Sequence, residues 1–318
     1  MRRLFSDANY DFISNRRKAY LVTGALFGAC LVAAIIWQVT RGSWLAYGVD
    51  FSGGTLVQVQ FQQPTTVAEI REVTEAVMPG SEVTAFGEAN EFLIRAPVAG
   101  DEASGTAEAL PPLLDEAFGQ GSYTIERTEA VGAKVGAELQ GRAIIAVILS
   151  FGMTLAYLAF RFEWRFGLAA VIATLHDILL TLGLVSLLQL EVALATVAAI
   201  LTIIGYSLND TIIIFDRVRE NLKAGRREDF VALLNRSINE TLPRTVVTSG
   251  TTLVTLIALF LLGGDIIRPF ALILILGILL GTLSSIFIAA PALRAIEKKW
   301  PGQRKKASRP ARPARSTV

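Results

Sequence analysis

This 318-residue chain has one cysteine and one histidine, and only 18% of its residues are charged. Cys30 alone cannot close an internal disulfide and says nothing about redox compartment. With His176 the only imidazole and no second Cys beside it, no His/Cys metal site can be assembled, so no metal is expected. No GxxxxGK[ST] run occurs, which removes the usual Walker A route to ATP hydrolysis; energy must come from a gradient or a partner, and no cofactor is expected. Such scarcity of charge, with 52% apolar residues and a mean hydropathy of +0.49, excludes a soluble globular protein of this size.

What is present is a set of long apolar runs. Stretches able to cross about 30 Å of hydrocarbon lie at 20–39, 143–160, 167–189, 193–215, 245–263 and 270–292, so six transmembrane helices are predicted. The first is read as a retained span, because mixed charge precedes it and no small-residue cleavage site follows. Of the 30 basic residues, 23 fall in segments that share one face if there are six spans. That face is cytoplasmic by the positive-inside rule, which places both termini inside. The net charge of +2 therefore reports topology and implies no nucleic-acid partner.

Between the first two spans the composition changes. Residues 41–141 carry fifteen acids against five basic residues, as in a soluble domain, and lie outside the cytoplasm. Thr55–Phe61 alternates like a strand, and Thr66 with Glu69 forms a capping box for a helix whose Val67, Ile70, Val73 and Val77 share a face. Ser81–Phe86 and Glu91–Ala96 read as strands, Ala103–Phe118 as a helix disturbed by Pro111 and Pro112, and Tyr123–Val131 as a last strand. The order βαββαβ predicts a small α+β ferredoxin-like unit. The chain thus divides into an N-terminal segment 1–19, a first span 20–40, an extracytoplasmic domain 41–141, spans two to six over 142–292 with a cytoplasmic connection at 216–244, and a basic disordered tail 293–318. In that connection Phe230, Leu234 and Ile238 recur at helical spacing. They predict a helix lying against the membrane surface, or else a short solvated helix pair around Gly225.

Asp210 stands near the end of the otherwise uncharged run Ala193–Phe215, where an ionised acid costs about 2.5–3.5 kcal/mol on insertion scales. Such an acid persists where a proton, an ion or a partner needs it. At 100° per residue, Thr202, Tyr206, Asn209 and Asp210 fall within a sector about 100° wide. Asp177 with Thr174 and Thr181 in span three, and Thr245, Thr248, Ser249, Thr252 and Thr255 in span five, form similar stripes. Lipid offers no hydrogen bonds, so the stripes are expected to face one another. Arg244, at the start of span five, is placed to reach Asp210. An acid alternating between a guanidinium and a proton is a two-state switch; a static pair is the plain structural alternative. His176 beside Asp177 fits either a relay or a structural hydrogen bond. Gly24 with Gly28, and Gly277 with Gly281, fit close helix packing. Gly48, Gly53 and Gly54 with Asp50 fit either a hinge to the external domain or a rigid tight turn.

Several of these segments together resemble a known family. Tyr10-Asp11-Phe12, Gly48-Val49-Asp50-Phe51-Ser52-Gly53-Gly54, Thr174-Leu175-His176-Asp177, Gly205 to Thr211 with Phe215 to Asn221, and Ser237 to Thr245 are similar to SecF, of the SecD/SecF family of bacterial protein-export membrane subunits within the resistance-nodulation-division superfamily. The resemblance implies a homologous six-span SecD-like partner, work beside the SecYEG channel in the bacterial inner membrane, contact with membrane lipids and with the translocating unfolded polypeptide, and movement driven by the proton-motive force. It implies that Asp210 carries the proton with Arg244 as its partner and that Gly48–Gly54 joins membrane to external domain; from the stripes, Asn209 is expected in the relay beside Asp210, and Tyr206 and Thr248, like His176 and Asp177, as relay or structural residues. No enzymatic activity is implied. One rival is half of a proton-driven small-molecule efflux transporter, whose external domains are usually much larger. The other is an intramembrane aspartyl protease using Asp177 and Asp210, against which neither acid stands in a YD or GxGD signature, since His precedes one and Asn the other.

Overall fold

Alternation of apolar and polar residues builds the sheet domain between the first two long helices. The computed structural model describes residues 8–78, 80–87, 89–96, 103–224 and 228–301. After helix α1 (Arg16–Arg41) come strand β1 (Ala46–Tyr47), a one-turn helix α2 (Val49–Ser52), β2 (Gly54–Phe61), α3 (Val67–Val77), β3 (Glu82–Ala85), β4 (Glu91–Ala96), α4 (Ala103–Phe118) and β5 (Tyr123–Val131). The four long strands form an antiparallel sheet in the order β3-β4-β2-β5, the ferredoxin-like arrangement that βαββαβ predicts. Val57, Val59 and Phe61 of β2 meet Phe92, Ile94, Ile70, Leu110 and Leu114 in one core beneath α3 and α4. Helix α4 runs through Pro111 and Pro112 unbroken. Tyr123 Oη–H is shared between the Pro111 carbonyl at 2.9 Å and Asp115 Oδ1 at 3.0 Å. Burial, followed by the Asp115 carboxylate, pushes the Tyr123 phenol up to about 12.

The capping box is formed. The Thr66 side chain accepts from the Glu69 amide at 3.3 Å, and Glu69 Oε2 accepts from the Thr66 amide at 2.8 Å. Thr66→Ala is expected to destabilise the sheet domain by about 1 kcal/mol, read as faster hydrogen exchange over 67–71. The bond from the Thr66 backbone, then that from its hydroxyl, holds the Glu69 carboxyl below its ordinary range. Its contribution is therefore complete above the usual carboxylate range and is lost as pH falls through the lowered value.

The rest is helical: α5 (Ala133–Arg161), α6 (Trp164–Leu187), a two-residue strand β6 (Glu191–Val192), α7 (Leu194–Lys223), α8 (Phe230–Leu262), α9 (Gly264–Ser284), a π-helical turn at Ser285–Ala289 and α10 (Ala290–Lys299). Among the described residues six helices are long and apolar enough to cross a membrane, the last running from Ile267 through α10. The chain is a multi-pass membrane protein. α6 and α7 are central, packed on α9, while α1 and α5 turn Leu21, Val39, Ile145, Ile148 and Phe160 outward.

Two readings of the basic-rich end change. α7 and α8 extend as one helical hairpin on either side of residues 225–227, and Leu234 and Ile238 are fully buried against Phe215, Val218 and Ile13. Among the described residues the connection is a packed helix pair, because the 3.6-residue apolar face continues beyond the hydrocarbon run and finds a protein partner. The amino-terminal segment is clipped to the same place. Asn239 accepts from the Tyr10 amide at 2.9 Å, and Asn235 from the Ile13 amide at 3.0 Å. The predicted disordered tail also begins too early. α10 is ordered to Lys299 because Leu293 and Ile296 insert into the core. Residues 302–318 of that tail lie outside the described residues, as do Gly225, Arg2 and Arg3.

Candidate functional site

Helix α7 carries a carboxyl group into the bundle. Asp210 is 1% exposed, and its Oδ2 accepts from Ser249 Oγ of α8 at 3.3 Å. Ser249 is joined to Thr282 of α9 at 2.8 Å. Tyr206, one turn from Asp210, donates toward Thr252 at 3.3 Å and Ser249 at 3.5 Å. Asp210 Oδ1 is buried without a partner among the described residues. A row of hydroxyls from α8, α7 and α9 therefore ends on an acid with one free acceptor. Part of the polar seam the stripes predict is built here, where a helix without these groups would be more stable in oil, while Thr202 and Thr255 of those stripes are exposed.

Three residues expected at this acid are placed elsewhere. Among the described residues no ion pair joins Arg244 to Asp210, and Arg244 is exposed, its charge acting on the acid only from a distance. Arg244 and Ser249 stand five residues apart on α8, about 140° around the helix, so the face that offers Ser249 turns Arg244 aside. Asn209 is exposed on the outside of α7. Thr248 bonds its own helix, to the Arg244 and Thr245 carbonyls at 2.9 and 3.1 Å.

Asp177 of α6 anchors a second network and is fully buried. Its Oδ2 accepts from Ser207 Oγ of α7 at 2.5 Å and from Ser284 Oγ of α9 at 2.6 Å, while Oδ1 faces His176 Nδ1 at 2.8 Å. The His176 ring meets Phe27 of α1 edge-on, and its Nε2 is buried without a partner among the described residues. One carboxylate thus ties three helices together. Asp177→Ala strands the buried Ser207 hydroxyl, worth about 1–3 kcal/mol when unpaired, and leaves Ser284 only its bond to the Gly281 carbonyl at 3.1 Å. A fall of several degrees in the unfolding midpoint of the purified chain is the expected result, with Asp177→Asn intermediate.

Ser207, which bonds Asp177, stands one helical turn before Asp210, so the two networks adjoin along α7. The close approach that makes this possible comes from α9. A Cβ at Gly281 would lie 2.9 Å from the Ser207 Cβ, and one at Gly277 would overlap the Ile203 side chain. Gly277 and Gly281 are packing glycines, as their spacing predicts. Gly24 and Gly28 meet nothing within 4 Å, so their predicted packing is not realised within this chain. Ser284 escaped the sequence reading; its one signal was its place after Gly277 and Gly281 on a small-residue face.

The glycine-rich segment after α1 is a packed turn. Gly53 and Gly54 have φ of 70° and 128°, values that favour glycine, and a Cβ on either would lie 2.8 Å from backbone, at Ala133 and Ala96 respectively. Val49 and Phe51 are buried, and Asp50 Oδ2 accepts the Leu194 amide at 2.8 Å. The wall where sheet domain meets helices is completed by an ion pair of Arg95 with Glu191 at 3.0 Å.

Against known proteins, residues 114–299 match the family described as protein export membrane protein SecD/SecF, C-terminal, and residues 43–65 match the SecD/SecF GG motif. The protein translocase subunit SecF of Gemmatimonas aurantiaca is 47% identical over 95% of this chain and 91% of that protein. The protein translocase subunit SecDF of Thermus thermophilus is 38% identical over 94% of this chain, which spans 40% of that longer protein. The crystal structure of SecDF, a translocon-associated membrane protein from Thermus thermophilus, superposes with a TM-score of 0.80 at 36% identity, over 92% of this chain and 39% of that one.

Proposed function

The chain belongs to the SecD/SecF family of protein-export membrane proteins, and from that premise we propose that it is an auxiliary subunit of the Sec translocase of the bacterial inner membrane. It uses the proton-motive force, together with a SecD-like partner, to promote movement of unfolded polypeptide through the SecYEG channel. Both termini are cytoplasmic and the sheet domain is external. The small-molecule efflux reading is not favoured, since the relatives are protein translocase subunits. An aspartyl dyad has no support either: Asp177 and Asp210 accept hydrogen bonds from different serines.

The observation that carries this reading is the half-satisfied acid at the end of a hydroxyl row. The neutral form of Asp210 suits its burial, and its anion is drawn toward Arg244. A proton entering from the sheet-domain side meets Thr252, Tyr206 and Ser249 before Asp210. On leaving toward the cytoplasm, it exposes a carboxylate that pulls the α8 segment bearing Arg244 across α7. One proton falling through 100 mV supplies about 2.3 kcal/mol, so pulling requires repeated cycles. In this scheme Asp210 is the carrier, Arg244 its alternate partner, Tyr206 the conduit and Thr248 the neighbour that moves with Arg244. His176 and Asp177 brace the fixed side of the slide.

A SecD-like partner completes the seam. Asn209 is exposed at membrane depth, where lipid cannot satisfy an amide. The chain spans two fifths of its SecDF relative, whose remaining length has room for that partner. Affinity purification from mild detergent tests the assignment. Co-purification of a homologous six-span chain is the expected result, and recovery of this chain alone from membranes in which both genes are expressed would overturn it.

A further inference from the structure

Helix α7 begins at Leu194, whose amide is one of the donors that no helical carbonyl can satisfy. The acceptor it finds is far away in sequence: Asp50 Oδ2, at 2.8 Å, on the one-turn helix between Gly48 and Gly53. A carboxylate at a helix N-terminus is favoured by the helix dipole as well as by the bond. Around this contact the turn is gripped from both sides. Toward α7, β1 pairs in parallel with β6, and the Gly48 amide extends the ladder to the Val192 carbonyl at 3.0 Å. Toward α5, a Cβ at Gly136 would lie 3.0 Å from the Phe51 carbonyl oxygen. Strand β2 starts at Gly54, with no free residue between turn and sheet.

Asp210 lies on this same helix, about 24 Å from its start at 1.5 Å per residue. A helix of that length is stiff, so displacement at Asp210 arrives at Leu194. The sheet is also joined to α5 by the chain itself, since β5 passes through Gly132 into that helix; toward the start of α7 a further tie, Arg95 with Glu191, is a partly exposed ion pair of the kind that contributes little. A cavity of about 160 Å³ beside the turn, bounded by Asp50, Leu56, Glu191 and Phe270, leaves the remaining surfaces apart.

We infer that Asp50 is a positioning residue that couples helix α7 to the sheet domain, so that the Gly48–Gly54 turn transmits movement of α7 rigidly instead of flexing as a hinge. The inference rests on the reading of Asp210 as proton carrier, and the experiment separates the two. Spin labels at exposed positions 75 and 262 report the distance between sheet domain and membrane end in the full chain in lipid nanodiscs. Cys30 is buried and stays in place. Asp210→Asn, which mimics the protonated acid, is expected to shift the distance distribution relative to the unmodified chain held at alkaline pH, where the carboxyl is ionised. Asp50→Ala is expected to abolish that response, while Asp50→Asn, which keeps an acceptor, preserves it. A second variant guards against misfolding. Leu194→Pro removes the donated N–H, with a half-exposed leucine side chain, and leaves the helix start intact, since proline suits the first helical position and Ala193 already has the extended backbone that must precede it; it too should abolish the response.

A merely structural role would change the resting distance whatever stands at 210, whereas coupling changes the response to residue 210. An Asp210→Asn shift of equal size in Asp50→Ala and Leu194→Pro overturns the coupling and leaves the carrier intact, and loss of the response in Asp50→Asn overturns the hydrogen-bond argument. No shift in Asp210→Asn alone overturns the carrier and the coupling together.

Discussion

Asp210→Asn is expected to reduce gradient-stimulated completion of export, measured as protease-protected product in inverted membrane vesicles, to the level seen with an uncoupler. The substitution keeps the shape of the side chain and an oxygen to accept from Ser249 at the position now 3.3 Å away. It removes only the capacity to gain and lose a proton. Assembly and resting stability should therefore match the unmodified protein. Asp210→Glu, with a titratable group on a longer stem, is expected to recover part of the stimulation. Full stimulation in Asp210→Asn would take this residue out of the energy-coupling step, because no neutral amide can carry the charge that a gradient moves. Arg244→Ala should lose stimulation too, but Arg244→Lys should keep more of it than a pair fixed by bidentate geometry would allow, since Arg244 makes no ion pair with Asp210 here.

Gly281→Ala carries the largest expected effect on the membrane bundle. The added Cβ would meet the Ser207 Cβ at 2.9 Å and its Cα at 3.2 Å, and neither atom can swing aside as a long side chain would. Overpacking of this kind costs about 1–3 kcal/mol. Pushing α7 away also stretches the 2.5 Å bond from Ser207 to Asp177, adding about 1 kcal/mol or more. The unfolding midpoint in detergent should fall well below that of Gly24→Ala, where a Cβ would meet nothing within 4 Å. Equal midpoints for the two variants would contradict the close packing of α9 on α7. Because Ser207 precedes Asp210 by one turn, Gly281→Ala should also weaken gradient stimulation, linking packing to function through a single serine.

Much of this architecture was legible from local pattern. The strands Glu91–Ala96 and Tyr123–Val131 and the helix Ala103–Phe118 end where the alternation or the 3.6-residue period ends, and Thr66 with Glu69 announces its helix by two side chains three residues apart. These features depend on neighbours in sequence, so the residues alone specify them. The apolar runs are legible for the same reason, as a helix must satisfy its own backbone in oil. Helix ends were less so. α8 begins at Phe230 and α10 continues to Lys299 because Leu234, Ile238, Leu293 and Ile296 find apolar partners from distant segments.

The site divides along the same line. That Asp177 and Asp210 are the buried acids to watch follows from composition: an acid in a hydrocarbon-length run is costly enough to demand a use. Which hydroxyl each acid meets does not follow, because Ser284 is 107 residues from Asp177, and Asp50 is 144 from the amide it caps. The chain by itself determined six helices, one βαββαβ domain and two acids in oil, since propensity, periodicity and hydropathy act over a few residues. Only the tertiary structure decided that Arg244 turns aside, that Ser207 bonds Asp177 one turn away from Asp210 and that the glycine-rich turn is gripped, because helix rotation and approach are set by glycines and side chains meeting across the whole bundle.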